Sequence, residues 1–387
     1  MKIKTKKKIL VIGSISDFGG REVEVNTLVR FLELEYSVKL FSTIQMTEKS
    51  TAVSGLNSKW TTIYRELKNT SIFLKFLSFL IKKYKKLNLP SEYFVVNKIS
   101  SYLFDFQKIN ISIIKKEIDQ VDAILFCGIF SNGFLKEILE YSVLSKKSFF
   151  IRTTGTITEV PDNLKFFLNN VSNLIVHSFS NASILKTKGI KNSIIIDQTT
   201  LLEMELLKIP ICETNELKYG YIGRFSPEKG ILELLDAFNN IGKKILIAGN
   251  GPLQIKVEKK CVENPLFTCV GEIMQNNLSD FFSKIDVLII PSFEESGPLV
   301  GIEAMAAGKI IISTRVGAMM DRLKDTRNQF WFDINKSESF LQAISLVESA
   351  TKTDVLAIRN ELRERYVDTY SNKAISKSYL DLFAELT

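Results

Sequence analysis

Short apolar runs alternate with longer amphipathic stretches along the whole chain. Lys8-Ile-Leu-Val-Ile12 is an apolar run that predicts a first buried strand. A glycine-bearing loop from Gly13 to Gly20 follows. Val25, Leu28, Val29 and Leu32 then recur on one face of a helix predicted over residues 22–35. Ser37-Val-Lys-Leu-Phe41 predicts a second strand, and further strands are expected over residues 123–126, 148–151, 174–176 and 193–196. From Lys218 the pattern starts again, with strands expected over residues 218–222, 244–248, 267–270, 287–290 and 309–313, and helices opening at Gly230 and near Pro298. Strands alternating with helices indicate an α/β protein with parallel sheets.

The restart predicts two domains, residues 1–205 and 206–370. Residues 198–217, with Pro210 and little periodicity, carry the boundary. Residues 371–387 read as a terminal helix with Ile375, Tyr379, Leu382, Phe383 and Leu386 apolar. By itself such a helix reads as one that caps its own domain.

Composition narrows the picture. A chain of 387 residues exceeds one compact core, and 45% apolar content supports globular packing. Cys127, Cys212, Cys261 and Cys269 show no C-x-x-C spacing, and the chain has one histidine, so a Cys/His zinc site is not expected. Four free thiols fit a reducing cytosol. The basic start from Lys2 to Lys8 mimics a secretory leader, but the apolar run after it is short and lacks a small-residue cleavage motif, so a first strand is the reading. The net charge of +8 is uneven: residues 1–200 hold 29 Lys/Arg against 17 Asp/Glu, and the rest 22 against 26. The basic half calls for an anionic partner or a membrane surface, unless it is simply a lysine-rich solvated face. No nucleic-acid recognition motif is visible.

Candidate chemistry sits at strand ends. After the strand at 287–290 comes Pro291-Ser-Phe-Glu-Glu-Ser-Gly-Pro298, then a helix containing Glu303. Glu295 precedes the helix start, where free N–H groups suit an anion or a sugar oxygen. Glu303 lies among Ile302, Ala304, Met305, Ala306 and Ala307, so its carboxylate needs a partner. After the strand at 218–222 comes Gly223-Arg-Phe-Ser-Pro-Glu-Lys-Gly230. The planar fork of Arg224 and the point charge of Lys229 could together neutralise a diphosphate, whose charge grows as it leaves. No Asp-x-Asp triplet is present, so protein cations would stand in for Mg²⁺. Asp17-Phe-Gly-Gly20, Ala248-Gly-Asn-Gly-Pro252 and Val270-Gly-Glu-Ile273 are turn signals after strands.

Together these segments resemble the family 4 retaining glycosyltransferases, members of glycosyl transferases group 1 with the GT-B fold. Residues 218–320 resemble them closely and residues 8–40 loosely. The resemblance implies two Rossmann-like domains facing a cleft, with the terminal helix crossing back to the first domain, against the reading that it caps its own. It implies that Glu295 contacts the donor sugar and Glu303 the nucleotide ribose, as the two ends of an E-x7-E segment. Arg224 and Lys229 would hold the donor diphosphate. Gly20, Gly223, Gly249, Gly251, Ile273, Ser296, Gly297, Pro298, Leu299 and Val300 complete the implied donor site, with Ile273 at the base. The substrate would be a nucleotide sugar such as a UDP- or GDP-sugar, with no cofactor and no metal. In the implied retaining mechanism the leaving phosphate oxygen accepts the acceptor's proton.

The chain departs from the family near residues 127 and 150, where members often carry histidines. Here stand Cys127-Gly128 and Phe150-Ile-Arg-Thr-Thr-Gly155. Arg152 and Thr154 are stand-ins on the acceptor side, no general base is named, and His177 reads as a packed strand-end residue. Residues 72–86 join an apolar decapeptide to four lysines. They read either as a buried helix with a basic end or as an interfacial helix on an anionic membrane. The expected function is transfer of a sugar from a nucleotide-sugar donor to a glycan or lipid-linked oligosaccharide in bacterial surface polysaccharide biosynthesis. The expected location is cytoplasmic, with the inner face of the plasma membrane as a candidate docking surface. The alternatives are a non-catalytic GT-B subunit that binds a glycan or partner enzyme, and a sugar-nucleotide epimerase.

Overall fold

A computed structural model describes residues 6–384 and 386. Lys2 and Lys4 of the leader-like start, and Glu385 and Thr387 at the expected terminal helix, lie outside the described residues. Strands β1 (Lys8–Gly13), β2 (Ser37–Ser42), β3 (Lys59–Thr62), β4 (Ala123–Gly128), β5 (Ser148–Thr153), β6 (Asn173–Val176) and β7 (Ser193–Ile195) form one sheet in the order β3-β2-β1-β4-β5-β6-β7. Strands β8 (Tyr219–Ile222), β9 (Ile245–Ala248), β10 (Phe267–Cys269), β11 (Val287–Ile290), β12 (Ile310–Ser313) and β13 (Phe330–Trp331) form a second, ordered β10-β9-β8-β11-β12-β13. The pairings are parallel in both sheets.

Both orders are Rossmann-like, reversing direction between β1 and β4 and between β8 and β11. The central strands are the apolar runs of the sequence. β4 and β11 are buried along their whole length, as parallel strands covered by helices on both faces require. The two strands with no apolar run, β3 and β13, close sheet edges with four and two residues.

The chain forms two compact units. The first comprises residues 1–176, 182–196 and 376–387, and the second comprises 177–181 and 197–375. Residues 197–205, expected with the first domain, group with the second unit. The terminal helix Asn372–Ala384 ends in the first: the Phe383 ring is fully buried, 4.3 Å from that of Phe150 and 6.2 Å from that of Tyr36. Of the two readings of this helix, crossing back is the one observed.

Two further expectations change. The helix Ile72–Lys85 buries only Leu74 and Ser78, so it is not a core helix. No helix of the described residues is long and apolar enough to cross a membrane. Cys261 and Cys269 are joined in a disulfide, with Cα atoms 6.3 Å apart, so four free thiols is corrected to two, Cys127 and Cys212. The reason is local: the helix Gln254–Glu263 turns directly into β10, which brings the two side chains together.

Candidate active site

The strand order of the second sheet selects the loops that meet. β8 and β11 are neighbours, with Tyr219 opposite Val287, so the loops leaving their carboxyl ends emerge side by side. One carries Arg224 and Lys229, the other Glu295. Lys229 Nζ pairs with the Glu295 carboxylate, to which Ser292 Oγ also donates at 3.3 Å. The Phe293 N–H donates to the Glu228 carbonyl at 2.9 Å, stitching the loops together. Gly230 makes this closure possible. Its φ is 64°, and a Cβ there would lie 2.1 Å from the Pro291 carbonyl oxygen.

Arg224 is exposed, and its guanidinium makes no hydrogen bond among the described residues. The Glu228 carboxyl is held below its ordinary range by a hydrogen bond from Ser226 and by the charges of Lys229 and Arg224. Burial raises the Tyr221 phenol, and the charges of Glu295 and Glu228 push it further. Its hydroxyl donates to the Arg224 carbonyl at 3.1 Å.

The loop after β9 packs backbone to backbone against the first loop. A Cβ on Gly249 would meet the Gly223 carbonyl at 1.9 Å, so only glycine allows this approach. The Gly249 N–H donates to the Gly271 carbonyl at 2.8 Å, and the Phe225 N–H to the Asn250 carbonyl at 2.8 Å. Ile273, two residues past Gly271, is half-buried against the core of the second unit. Gly251 abuts the Phe225 backbone.

Pro298 caps the helix Leu299–Ala306, and Ser296, Gly297, Leu299 and Val300 are half-buried around its start. Glu303 is 4% exposed. Thr200 Oγ1 donates to its carboxylate at 3.4 Å. Burial raises the Glu303 carboxyl to about 7, and the Thr200 hydrogen bond pulls the other way.

One supporting residue was not singled out in the sequence. Arg322, in the helix Met319–Leu323, is completely buried. It grips Asp197 bidentately at 2.8 and 2.7 Å and donates to the Pro298 carbonyl at 2.5 Å. A desolvated bidentate pair is geometrically exacting, so it fixes the end of the loop that bears Glu295. Nothing in the sequence distinguishes Arg322 from a surface helix arginine. On the same loop Asn181 Nδ2 donates to Ser296 Oγ at 3.2 Å. His177 is buried, and its Cβ would lie 3.3 Å from a Cβ on Gly297.

Gly20, Arg152 and Thr154 belong to the first unit. Gly20 is exposed and opens the helix Gly20–Glu33. Arg152 is completely buried, pairs with Glu24 and donates to the Ile196 carbonyl. Thr154 Oγ1 accepts a hydrogen bond from Arg21 Nε at 3.0 Å.

Residues 208–366 match the family model Glycosyl transferases group 1. An uncharacterized glycosyltransferase of Methanocaldococcus jannaschii is 30% identical over 135 residues, 34% of this chain and 38% of that protein. A lipopolysaccharide 1,2-N-acetylglucosaminetransferase of Salmonella typhimurium is 31% identical over 121 residues, 27% of this chain and 32% of that protein. These matches span less than half the length of the curated relatives. The crystal structure of Anabaena Alr3699/HepE in complex with UDP superposes with a TM-score of 0.71 at 14% identity, over 97% of this chain and 99% of that one. The fold is therefore GT-B, and the segment bearing Arg224, Lys229, Glu295 and Glu303 is the one that matches the glycosyl transferases group 1 model.

Proposed function

We propose that the chain is a retaining, metal-independent glycosyltransferase that moves a sugar from a nucleotide-sugar donor to a glycan or lipid-linked acceptor in bacterial surface polysaccharide biosynthesis. The observation that carries this reading is the Lys229–Glu295 pair at the switch point of the second sheet, with Arg224 open beside it. A diphosphate arriving there meets two cations. It draws Lys229 from Glu295 and leaves the carboxylate to accept hydrogen bonds from the donor sugar. Glu303 takes the ribose hydroxyls. As the C1–O bond to phosphate breaks, the new C1–O bond forms on the same face, and the acceptor's proton passes to the leaving phosphate oxygen. Arg224 and Lys229 stabilise the charge that grows there, the task a metal performs in other transferases.

The UDP bound by the Anabaena protein supports a uridine-diphosphate sugar as the first donor to test. The Salmonella relative, a lipopolysaccharide transferase, supports a surface-glycan acceptor.

The test screens UDP- and GDP-sugars by thermal shift, because a ligand stabilises the folded state by mass action. Transfer is then assayed with the hits. Lys229→Ala and Glu295→Ala are each expected to lower turnover by roughly 10²–10³-fold, with the ligand-free thermal midpoint retained. Full turnover in either variant overturns the assignment. A donor that stabilises the protein but is never turned over would favour a non-catalytic subunit instead.

A further inference from the structure

The helix Ile72–Lys85 buries two of its residues and leaves Ile72, Phe73, Phe76, Phe79, Leu80 and Tyr84 exposed, with Phe76 at 61% and Tyr84 at 88%. The apolar surface continues beyond residue 86. Phe73 stacks on Phe104 at 6.2 Å, which brings up the neighbouring helix Lys98–Leu103. That helix exposes Ile99, Tyr102 (91%) and Leu103. Surface of this extent on two adjacent helices is far more than scattered exposed apolar residues.

Its rim is mostly basic. Lys75, Lys83, Lys85, Lys86 and Lys98 are exposed around it, and Lys82 is half-buried. From residue 67 to residue 91 the chain has no acidic side chain. The acid that follows, Glu92, is held by Lys68 at 2.9 Å and Arg65 at 3.6 Å. Asp105, exposed just past the second helix, is paired with Lys108 at 3.3 Å, so neither acid pairs with the rim lysines.

We infer that these two helices form a lipid-docking surface, whose aromatic side chains enter the headgroup–acyl boundary of an anionic bilayer while the lysines bind its phosphates. A second copy of the chain is the poorer occupant. A twofold contact would set the same lysines against each other, whereas anionic headgroups neutralise them. Rings on one face and lysines beside them match the composition of interfacial helices. The inference names a partner for the proposed glycosyltransferase and rests on that reading only for its purpose, since docking is measured without turnover.

The test is flotation of the full chain with phosphatidylglycerol-containing vesicles and with pure phosphatidylcholine vesicles, at low and high salt. The expected result is binding to the anionic vesicles at low salt, weakened by salt. Phe76→Ser/Phe79→Ser/Tyr102→Ser and Lys82→Ser/Lys83→Ser/Lys85→Ser/Lys86→Ser should each reduce binding roughly tenfold or more, with donor hydrolysis and circular dichroism unchanged. A tryptophan placed by Phe79→Trp should shift its emission to the blue on vesicle addition. Absence of flotation at low salt overturns the inference. So does equal flotation of wild type and both variants, or a dimer in gel filtration that the aromatic variant dissolves. Loss of donor hydrolysis in Lys229→Ala with flotation intact would separate the two readings.

Discussion

Glu303 is the residue whose chemistry is most exposed to test. Its carboxyl is raised from 4.5 to about 7 by burial. An acid raised on folding carries no penalty below its unfolded pKa, where both states are protonated. The penalty grows as pH rises and is complete once pH passes the folded pKa. Relative to Glu303→Gln, the wild type should therefore lose roughly 3 kcal/mol of stability between about pH 4.5 and 7, and no more above that. Urea unfolding of both proteins across this range measures it, and parallel pH profiles would contradict it. If ribose hydroxyls donate to Glu303, they favour its ionised form, so nucleotide binding near neutral pH should release a proton, visible as a buffer-dependent binding enthalpy.

At the scale of elements, function depends on two loops leaving adjacent strands, and Gly230 sets how closely they approach. Gly230→Ala forces a Cβ against the Pro291 carbonyl at a positive φ. The expected cost is about 1–3 kcal/mol, with turnover falling because the loops bearing Lys229 and Glu295 no longer meet around one donor. A variant of unchanged stability and turnover would show that the approach is not needed. The same level shows what could be read in advance. Central parallel strands are buried on both faces, so β4, β8 and β11 stand out as apolar runs, and the loops after β8 and β11 follow from them. Edge strands bury less, which hid Lys59–Thr62 and Phe330–Trp331. Arg322 gained its place from tertiary burial against Asp197, a partner 125 residues away that no local pattern records. The apolar helix at 72–85 was legible as an ambiguity and needed neighbours, or their absence, to decide it.

For the whole molecule, the informative feature is that the first unit draws on both ends of the chain. Phe383 is buried there against Phe150, so Phe383→Ala should destabilise that unit by about 3–5 kcal/mol. The two tryptophans, Trp60 and Trp331, fall one in each unit and can report separately. In urea, the Trp60 signal measured in Trp331→Phe should move to lower denaturant. A change confined to the Trp331 signal, measured in Trp60→Phe, would refute the placement of the helix. This arrangement also bears on synthesis. A domain emerging first from the ribosome ordinarily folds first. Here residues 6–176 and 182–196 are without Phe383 for roughly 10–40 s more at ordinary elongation rates. During that interval the apolar surface around Phe150 stays uncovered, a site where a chaperone can bind the nascent chain until the helix Asn372–Ala384 arrives.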